Sequence, residues 1–241
     1  MKLKRLLKYV FLFIFMGFLF FLYGFTSARN MNKKVSQVEI KFEAGGHPFL
    51  TYKTVNKLLI QNKQTVKNQA KSMIDLYHLE NGVLGNPYVE KASVSLSIDG
   101  RLQSVIKQRS PIVRIITDKE SYYFDSKGVR VPLSDDYSAR VPLVTGIENK
   151  IDLDNITALM QTIIADNFLQ KEIVGIHKSD DDEYHFSVRS GSYKIEFGKL
   201  EEINTKFKKL KAFYNKAFVD KTIEEYKTIN VKFHNQVVCT K

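Results

Sequence analysis

Cysteine occurs once in this 241-residue sequence, at Cys239, so no intramolecular disulfide can form and a zinc-finger site is excluded. Proline is scarce, with 5 residues, and glycine numbers 12, which removes collagen-like and linker-like readings. No low-complexity block suggests disorder. The signatures of nucleotide hydrolysis, dinucleotide binding and the serine nucleophile elbow are all missing. The histidines (His47, His78, His177, His185 and His234) never adopt the spacing of a helical metal pair, so no metal is expected. The acidic run Asp180–Glu183 lacks the glycine and the closing glutamate of a calcium loop and reads as a hairpin tip. Lys206, Lys208, Lys209 and Lys211 are expected on the solvated face of a helix whose apolar stripe is already complete. No catalytic residue and no cofactor is therefore expected, although a triad assembled in space leaves no mark in a sequence.

The formal net charge is +11, and its distribution decides its meaning. Lys2, Lys4, Arg5 and Lys8 precede an apolar run and have no acid among them. Nucleic-acid binding would need a clustered basic stripe, whereas the remaining excess is spread along a lysine-rich chain. From Val10 to Phe25 the sequence VFLFIFMGFLFFLYGF carries no charge. Extended through Leu6 and Leu7, it is long enough for a helix of about 30 Å, the thickness of a bilayer core. Lys8 interrupts it and is expected to snorkel to the headgroups. Positive charge beside a very short N-terminus predicts that this end stays in the cytoplasm. A cleaved signal peptide is the rival reading, against which stand the length of the run and its bulky phenylalanines.

Beyond the run, Val38, Ile40 and Phe42 alternate as in a strand, and Gly45-Gly46-His47-Pro48 ends it. Thr51 is placed to cap a short helix bearing Val55, Leu58 and Leu59. A second helix is expected from about Ser72 to the Gly85-Asn86-Pro87 break. A strand over Val89–Ile98 then places Ala92, Val94, Leu96 and Ile98 on one face, followed by a turn at Asp99-Gly100. Leu102 and Val105 carry the chain onward as a third strand, and this order predicts a three-stranded sheet with two helices on one face. Further on, Tyr122–Val129 reads as a hairpin turning at Ser126-Lys127-Gly128, and Asp154 is placed to cap a helix with Ile156, Leu159, Met160 and Ile163. Strands are expected at Ile173–His177, Tyr184–Arg189 and Tyr193–Phe197, and a helix over 200–218. The fold class is α+β.

Several of these segments carry a resemblance. Asn86-Pro87-Tyr88-Val89, Asp99-Gly100-Arg101-Leu102 and Arg109-Ser110-Pro111 are similar to a POTRA domain, and in particular to that of the bacterial FtsQ (DivIB) cell-division family. Val141-Pro142-Leu143-Val144-Thr145-Gly146, the Phe197-Gly198 step into a lysine-bearing helix, and the terminal Ile229–Val238 segment extend the likeness. Asn230 and Phe233 stand where the family pattern usually has Asp and often has Tyr. The resemblance implies a cytoplasmic tail at 1–8, a transmembrane helix at 9–28, a β-α-α-β-β POTRA domain at 35–110 and a C-terminal β domain with two packed helices at 111–241. Asn86, Pro87, Arg109 and Pro111 would be its structural markers.

The alternation of Ile229, Val231, Phe233 and Val237 with Asn230, Lys232, His234 and Gln236 predicts one continuous strand with a buried and a wet face. At a sheet edge such a strand is a template for a partner. The resemblance implies that it is one, with Asn230, Val231, Lys232, Phe233, His234, Asn235 and Val237 as partner-binding residues. The implied partners are FtsB/DivIC-like and FtsL-like bitopic division proteins, together with septal peptidoglycan synthesis proteins. The implied role is a non-enzymatic divisome scaffold, single-pass in the bacterial cytoplasmic (inner) membrane, with its ectodomain in the periplasm and enriched at the septum. A POTRA-bearing secretion or envelope-assembly accessory protein and an extracytoplasmic enzyme or receptor are the alternatives.

Overall fold

The structure, a computed structural model, describes residues 2–31, 33–45, 47–61 and 64–241, with side chains for residues 9–30 of the first helix and without those of Gln61 and Gln64. The side chain of Lys8 and the whole of Gly46 lie outside the described residues. The chain forms two compact units, residues 1–108 and 109–241.

The first unit begins with helix α1 (Lys2–Met31). Its stretch Tyr9–Asn30 is the one described helix long and apolar enough to cross a membrane, and none of it is buried by the rest of the chain. Phenylalanines that point outward all round a helix have no core to enter, so hydrocarbon is their compatible solvent.

After α1 come strand β1 (Gln37–Phe42), helix α2 (Tyr52–Leu58), a small hairpin of β2 (Ile60–Gln61) and β3 (Gln64–Thr65), helix α3 (Leu76–Leu84), β4 (Val89–Leu96) and β5 (Arg101–Gln108). Strand β5 is central in a three-stranded sheet, parallel to β1 and antiparallel to β4. Val55, Leu59, Leu79, Val83, Val89, Leu102 and Ile106 form its core with Val35 and Leu50. Thr51 caps α2, accepting the N–H of Thr54 at 3.2 Å. The second helix starts at Leu76 rather than near Ser72, because Asp75 takes the cap and accepts from the N–H of His78. Lys71–Met73 form only a single 3₁₀ turn. Asn86 and Pro87 lie between α3 and β4, where the Asn86 side chain accepts the Tyr88 N–H at 3.0 Å.

Ile98 departs from the expected strand face. Strand β4 ends at Leu96, and Ile98 projects from the hairpin tip with 78% of its surface exposed. Gly100 closes that tip with φ +89, and a Cβ there would sit 2.5 Å from the Lys34 carbonyl oxygen. Only glycine permits both the angle and the approach.

The second unit holds β6 (Pro111–Ile116), β7 (Ser121–Asp125), β8 (Arg130–Val131), β9 (Leu143–Thr145), helices α4 (Lys150–Ile164) and α5 (Asn167–Glu172), β10 (Ile173–Lys178), β11 (Tyr184–Val188), β12 (Lys194–Gly198), helix α6 (Ile203–Val219), β13 (Thr228–Asn230) and β14 (Val238–Thr240). They form one nine-stranded sheet in the order β14-β13-β12-β11-β10-β9-β6-β7-β8. Cross-strand register lines up Tyr122, Ile115, Val144, Ile176, Phe186, Ile195, Ile229 and Cys239 on one face. This row packs with Ile156, Leu159 and Ile163 of α4, Leu169 of α5, and Phe207, Leu210 and Tyr214 of α6. The period-2 row of the sheet thus meets the period-3.6 stripes of the helices.

Helix α4 corrects one expectation. Its cap is Asn149, not Asp154, in a capping box whose N3 residue is Asp152. Two buried devices brace the unit. Asp125 receives Arg109 Nη1 at 2.8 Å and the N–H groups of Lys127 and Val129 at 2.9 and 2.8 Å. The carboxylate of Glu172 accepts from Ser190 and from Tyr214 (3.1 Å), while Tyr193 donates to the Tyr214 hydroxyl at 2.8 Å. Burial drives the Tyr214 hydroxyl far above the ordinary tyrosine range, so it stays a neutral donor.

Candidate docking edge at the C-terminal strands

Helix α6 connects β12 to its parallel neighbour β13, a crossover that places Thr228, Ile229 and Asn230 opposite Lys194, Ile195 and Glu196. The predicted continuous strand over 229–238 is not what forms. Strand β13 stops at Asn230, residues 231–237 turn back, and β14 pairs antiparallel with β13. The open end of the sheet is therefore Val238–Thr240, and β13 is covered on both sides.

The reversal has local causes. Val231 continues the ladder by one bond, its N–H donating to the Glu196 carbonyl at 3.0 Å. The Asn230 side chain then accepts the Lys232 N–H at 3.0 Å, an Asx turn that bends the chain. Lys209 of α6 donates to the carbonyl of Val231 at 3.0 Å and also to that of Phe233. An ammonium with several donors is well suited to hold two carbonyls that have left the sheet.

Side chains around the turn divide sharply. Val231 is fully buried beside Ile229, whereas Phe233 is 47% exposed and Val237 only packs partly on the core. The expectation that Phe233 holds the apolar face of the strand is thus overturned, because it sits in the turn and not in a strand. Lys232 reaches Glu183 at 3.0 Å and Glu196 at 3.9 Å, while Asn230 donates to Glu196. His234 Nδ1 lies 3.4 Å from Glu202, and His234 and Asn235 are exposed. Cys239 is half-buried in the row of the core, and burial raises its thiol above the usual range, which leaves it a weak nucleophile.

The lysines of α6 are not the plain solvated face expected. Lys206 is buried, donates to the Lys199 carbonyl at 2.6 Å and lies 5.0 Å from the Phe197 ring centre. Desolvation lowers its pKa. Lys209 fixes the turn, and Lys211 bonds Asp166 at the cap of α5. Long aliphatic stems let all these residues pack while their charges find oxygen. No sequence pattern reveals that division, since each is a lysine on a helix.

Among the described residues, no three metal-ligating side chains converge. His177 and His185 stand opposite each other on β10 and β11, on the face away from the helices, with His177 Nδ1 2.8 Å from the Thr145 hydroxyl. Arg109 and Pro111 lie at the start of the second unit, where Arg109 pairs with Asp125 and Pro111 stands opposite it at the beginning of β6. Strand β14, at the open end of the sheet and next to a turn bearing a half-exposed aromatic ring, can pair along its outer side with an extended segment of another chain.

One apolar helix able to span a membrane and an α+β part in two units define a single-pass membrane protein. Residues 110–240 match the family described as FtsQ/DivIB, C-terminal related, and this covers more than half of the chain. The chain belongs to the FtsQ/DivIB family of non-enzymatic cell-division proteins. No curated protein matches it in sequence.

Proposed function

We propose that the chain is a divisome scaffold that works without catalysis, linking and regulating septal cell-wall synthesis proteins through contacts made outside the cytoplasm. The observation that carries this reading is the open strand β14 in a unit that belongs to the FtsQ/DivIB family. An FtsB/DivIC-like partner, itself paired with an FtsL-like protein, adds a strand along Val238–Thr240. Phe233, His234 and Asn235 on the preceding turn meet the side chains of the incoming segment, and Asn230, Val231, Lys232 and Val237 hold that turn in place. The β-α-α-β-β unit at 35–110 acts as a POTRA domain, a second protein-docking module between the membrane helix and the β unit. The protein sits in the bacterial inner membrane with residues 35–241 in the periplasm, enriched at the septum.

Depletion should leave DNA replication running while cells filament or remain in unseparated chains, and a full chain shortened after Val237 should fail to restore septation. Crosslinking in living cells from a photoreactive residue at Thr240 should capture a small bitopic protein. Normal septation in a clean deletion strain would refute the role. Full complementation by the shortened chain, with its melting temperature kept, would refute the edge.

A further inference from the structure

We propose that the tip of the β4–β5 hairpin and the 3₁₀ turn Lys71–Met73 rest on the bilayer surface, so that the first unit is docked on anionic lipid headgroups as well as tethered by α1. The proposal rests on α1 being a membrane anchor and adds a second contact to it.

Distances along the chain carry the argument. Asn30 lies five residues beyond Phe25, the last residue of the uncharged run, which is about 7 Å along a helix. The headgroup layer on each side of a bilayer is roughly 5–7 Å thick. Asn30 therefore stands at the outer boundary of that layer when Phe25 ends the hydrocarbon. Lys71 donates to the Asn30 side chain at 3.2 Å and to the Ile98 carbonyl at 3.2 Å. Lys33 donates to the same Ile98 carbonyl at 3.4 Å. The hairpin tip is thus held one side chain away from the end of the membrane helix.

The chain from Lys33 onward is pinned to the unit. The Val35 N–H bonds Gln69, the Lys71 N–H bonds Lys33, and the Ser36 N–H bonds Gly100. Lys34 bridges Ala70, and the missing Cβ of Gly100 is what lets the Lys34 carbonyl approach. These bonds clamp residues 33–36 against the hairpin tip and the 3₁₀ turn.

What the clamp presents is suited to an interface. Ile98 is 78% exposed and Met73 is 68% exposed, large apolar side chains on two short loops beside α1. Lys33 and Lys71 at the Ile98 carbonyl, Arg29 in the last turn of α1 and Lys34, whose backbone meets Gly100, supply cations. Of the carboxylates close by, Asp99 is 3.5 Å from Arg101 and engaged by Ser97, and Asp75 accepts the His78 N–H at the cap of α3. Apolar tips ringed by cations match acyl-chain boundaries covered by phosphate, and each cation near an anionic leaflet adds to the attraction.

The chain contains no tryptophan, so Ile98→Trp creates a single fluorophore at the tip. Leu84→Trp places one at the far end of α3, where the helix runs away from the tip. Full-length proteins would be reconstituted in phosphatidylcholine vesicles containing phosphatidylglycerol, with acyl chains brominated just below the headgroups. Both should float with the vesicles, which tests the anchor alone. Emission from Ile98→Trp should fall about twofold or more and shift to shorter wavelength, whereas Leu84→Trp should be unaffected. Omitting phosphatidylglycerol should restore much of the lost emission. Flotation of both proteins with equal quenching at the two positions would overturn the docking while leaving the anchor intact. Quenching at the tip that ignores phosphatidylglycerol would overturn the part assigned to the cations.

Discussion

The two ends of the nine-stranded sheet are treated in opposite ways. At one end β8 is only Arg130–Val131, followed at once by Pro132, which has no N–H to offer. Arg130 is paired with Glu120 and lies 4.1 Å from the centre of the Tyr122 ring. The chain beyond it folds back so that the Ala139 N–H reaches the Tyr123 hydroxyl at 3.1 Å. Shortness, charge and proline are the usual means of blunting an edge. At the other end β14 is also short, but Val238, Cys239 and Thr240 are uncharged and carry no proline. The difference teaches that an exposed edge in this fold is not an oversight of packing, since the same sheet protects its opposite rim.

Variants at each rim test this contrast. The largest loss of stability should come from the protected side. Arg109→Ala strands the buried Asp125 carboxylate without its counter-charge, at a cost of about 3 kcal/mol or more. Thermal unfolding reads the loss, yet the folded fraction should bind the proposed FtsB/DivIC-like partner as before. Ile229→Ala, at the open side, empties a fully buried site for about 3 kcal/mol. Here binding should fall together with stability, since β14 is aligned through β13. Equal binding losses in the two variants would break the contrast. Phe233→Ala should sharpen it from the other direction. With its ring half outside, stability should change by less than about 1 kcal/mol, while affinity measured by calorimetry drops by about tenfold or more.

The smallest effect is a pH effect. Lys211, and then the Leu169 N–H, hold the Asp166 carboxyl below the ordinary carboxylate range. A depressed folded pKa means that its contribution is complete above about pH 4 and fades as pH falls through the folded value. The pair is partly exposed, so only some tenths of a kcal/mol are involved. Melting temperatures of the wild type and Asp166→Asn should converge below that pH and separate above it.

Much of the architecture was legible because burial writes a period into the chain. Val38, Ile40 and Phe42 marked β1, and Leu159, Met160 and Ile163 marked the inner side of α4. The family could be read from short motifs, and the match over 110–240 covers those at Val141–Gly146 and Phe197-Gly198. What failed was the terminal segment. Alternation of Ile229, Val231 and Phe233 looks like one strand, but alternation says nothing about a side chain that bends its own backbone. The Asx turn at Asn230 and the carbonyls taken by Lys209, more than twenty residues away, decide the matter. The same blindness applies to Lys206, whose burial depends on where the Lys199 carbonyl ends up. Asp154 lost the cap of α4 to Asn149 because the reciprocal bond to Asp152 satisfies two backbone donors instead of one.

Strand β9 gives the sheet a mechanical character. It is three residues long and joins β10 on one side to β6 on the other, parallel to both. Five strands from β10 to β14 and three from β6 to β8 are thus stitched together through Leu143, Val144 and Thr145. The stitch is finished by Gly146, at φ +78, where a Cβ would overlap the Lys178 carbonyl oxygen. Under tension applied at the two rims, ladders yield in order of the bonds that share the load, and the β6–β9 side of this seam, with Arg114 and Ile115 alone aligned to Leu143 and Val144, has the fewest in the middle of the sheet. A pull on β14 would therefore open the unit at β9 while the row Ile176–Phe186–Ile195–Ile229 still held as a block. Force delivered by a bound partner would part the domain along a line set by three residues.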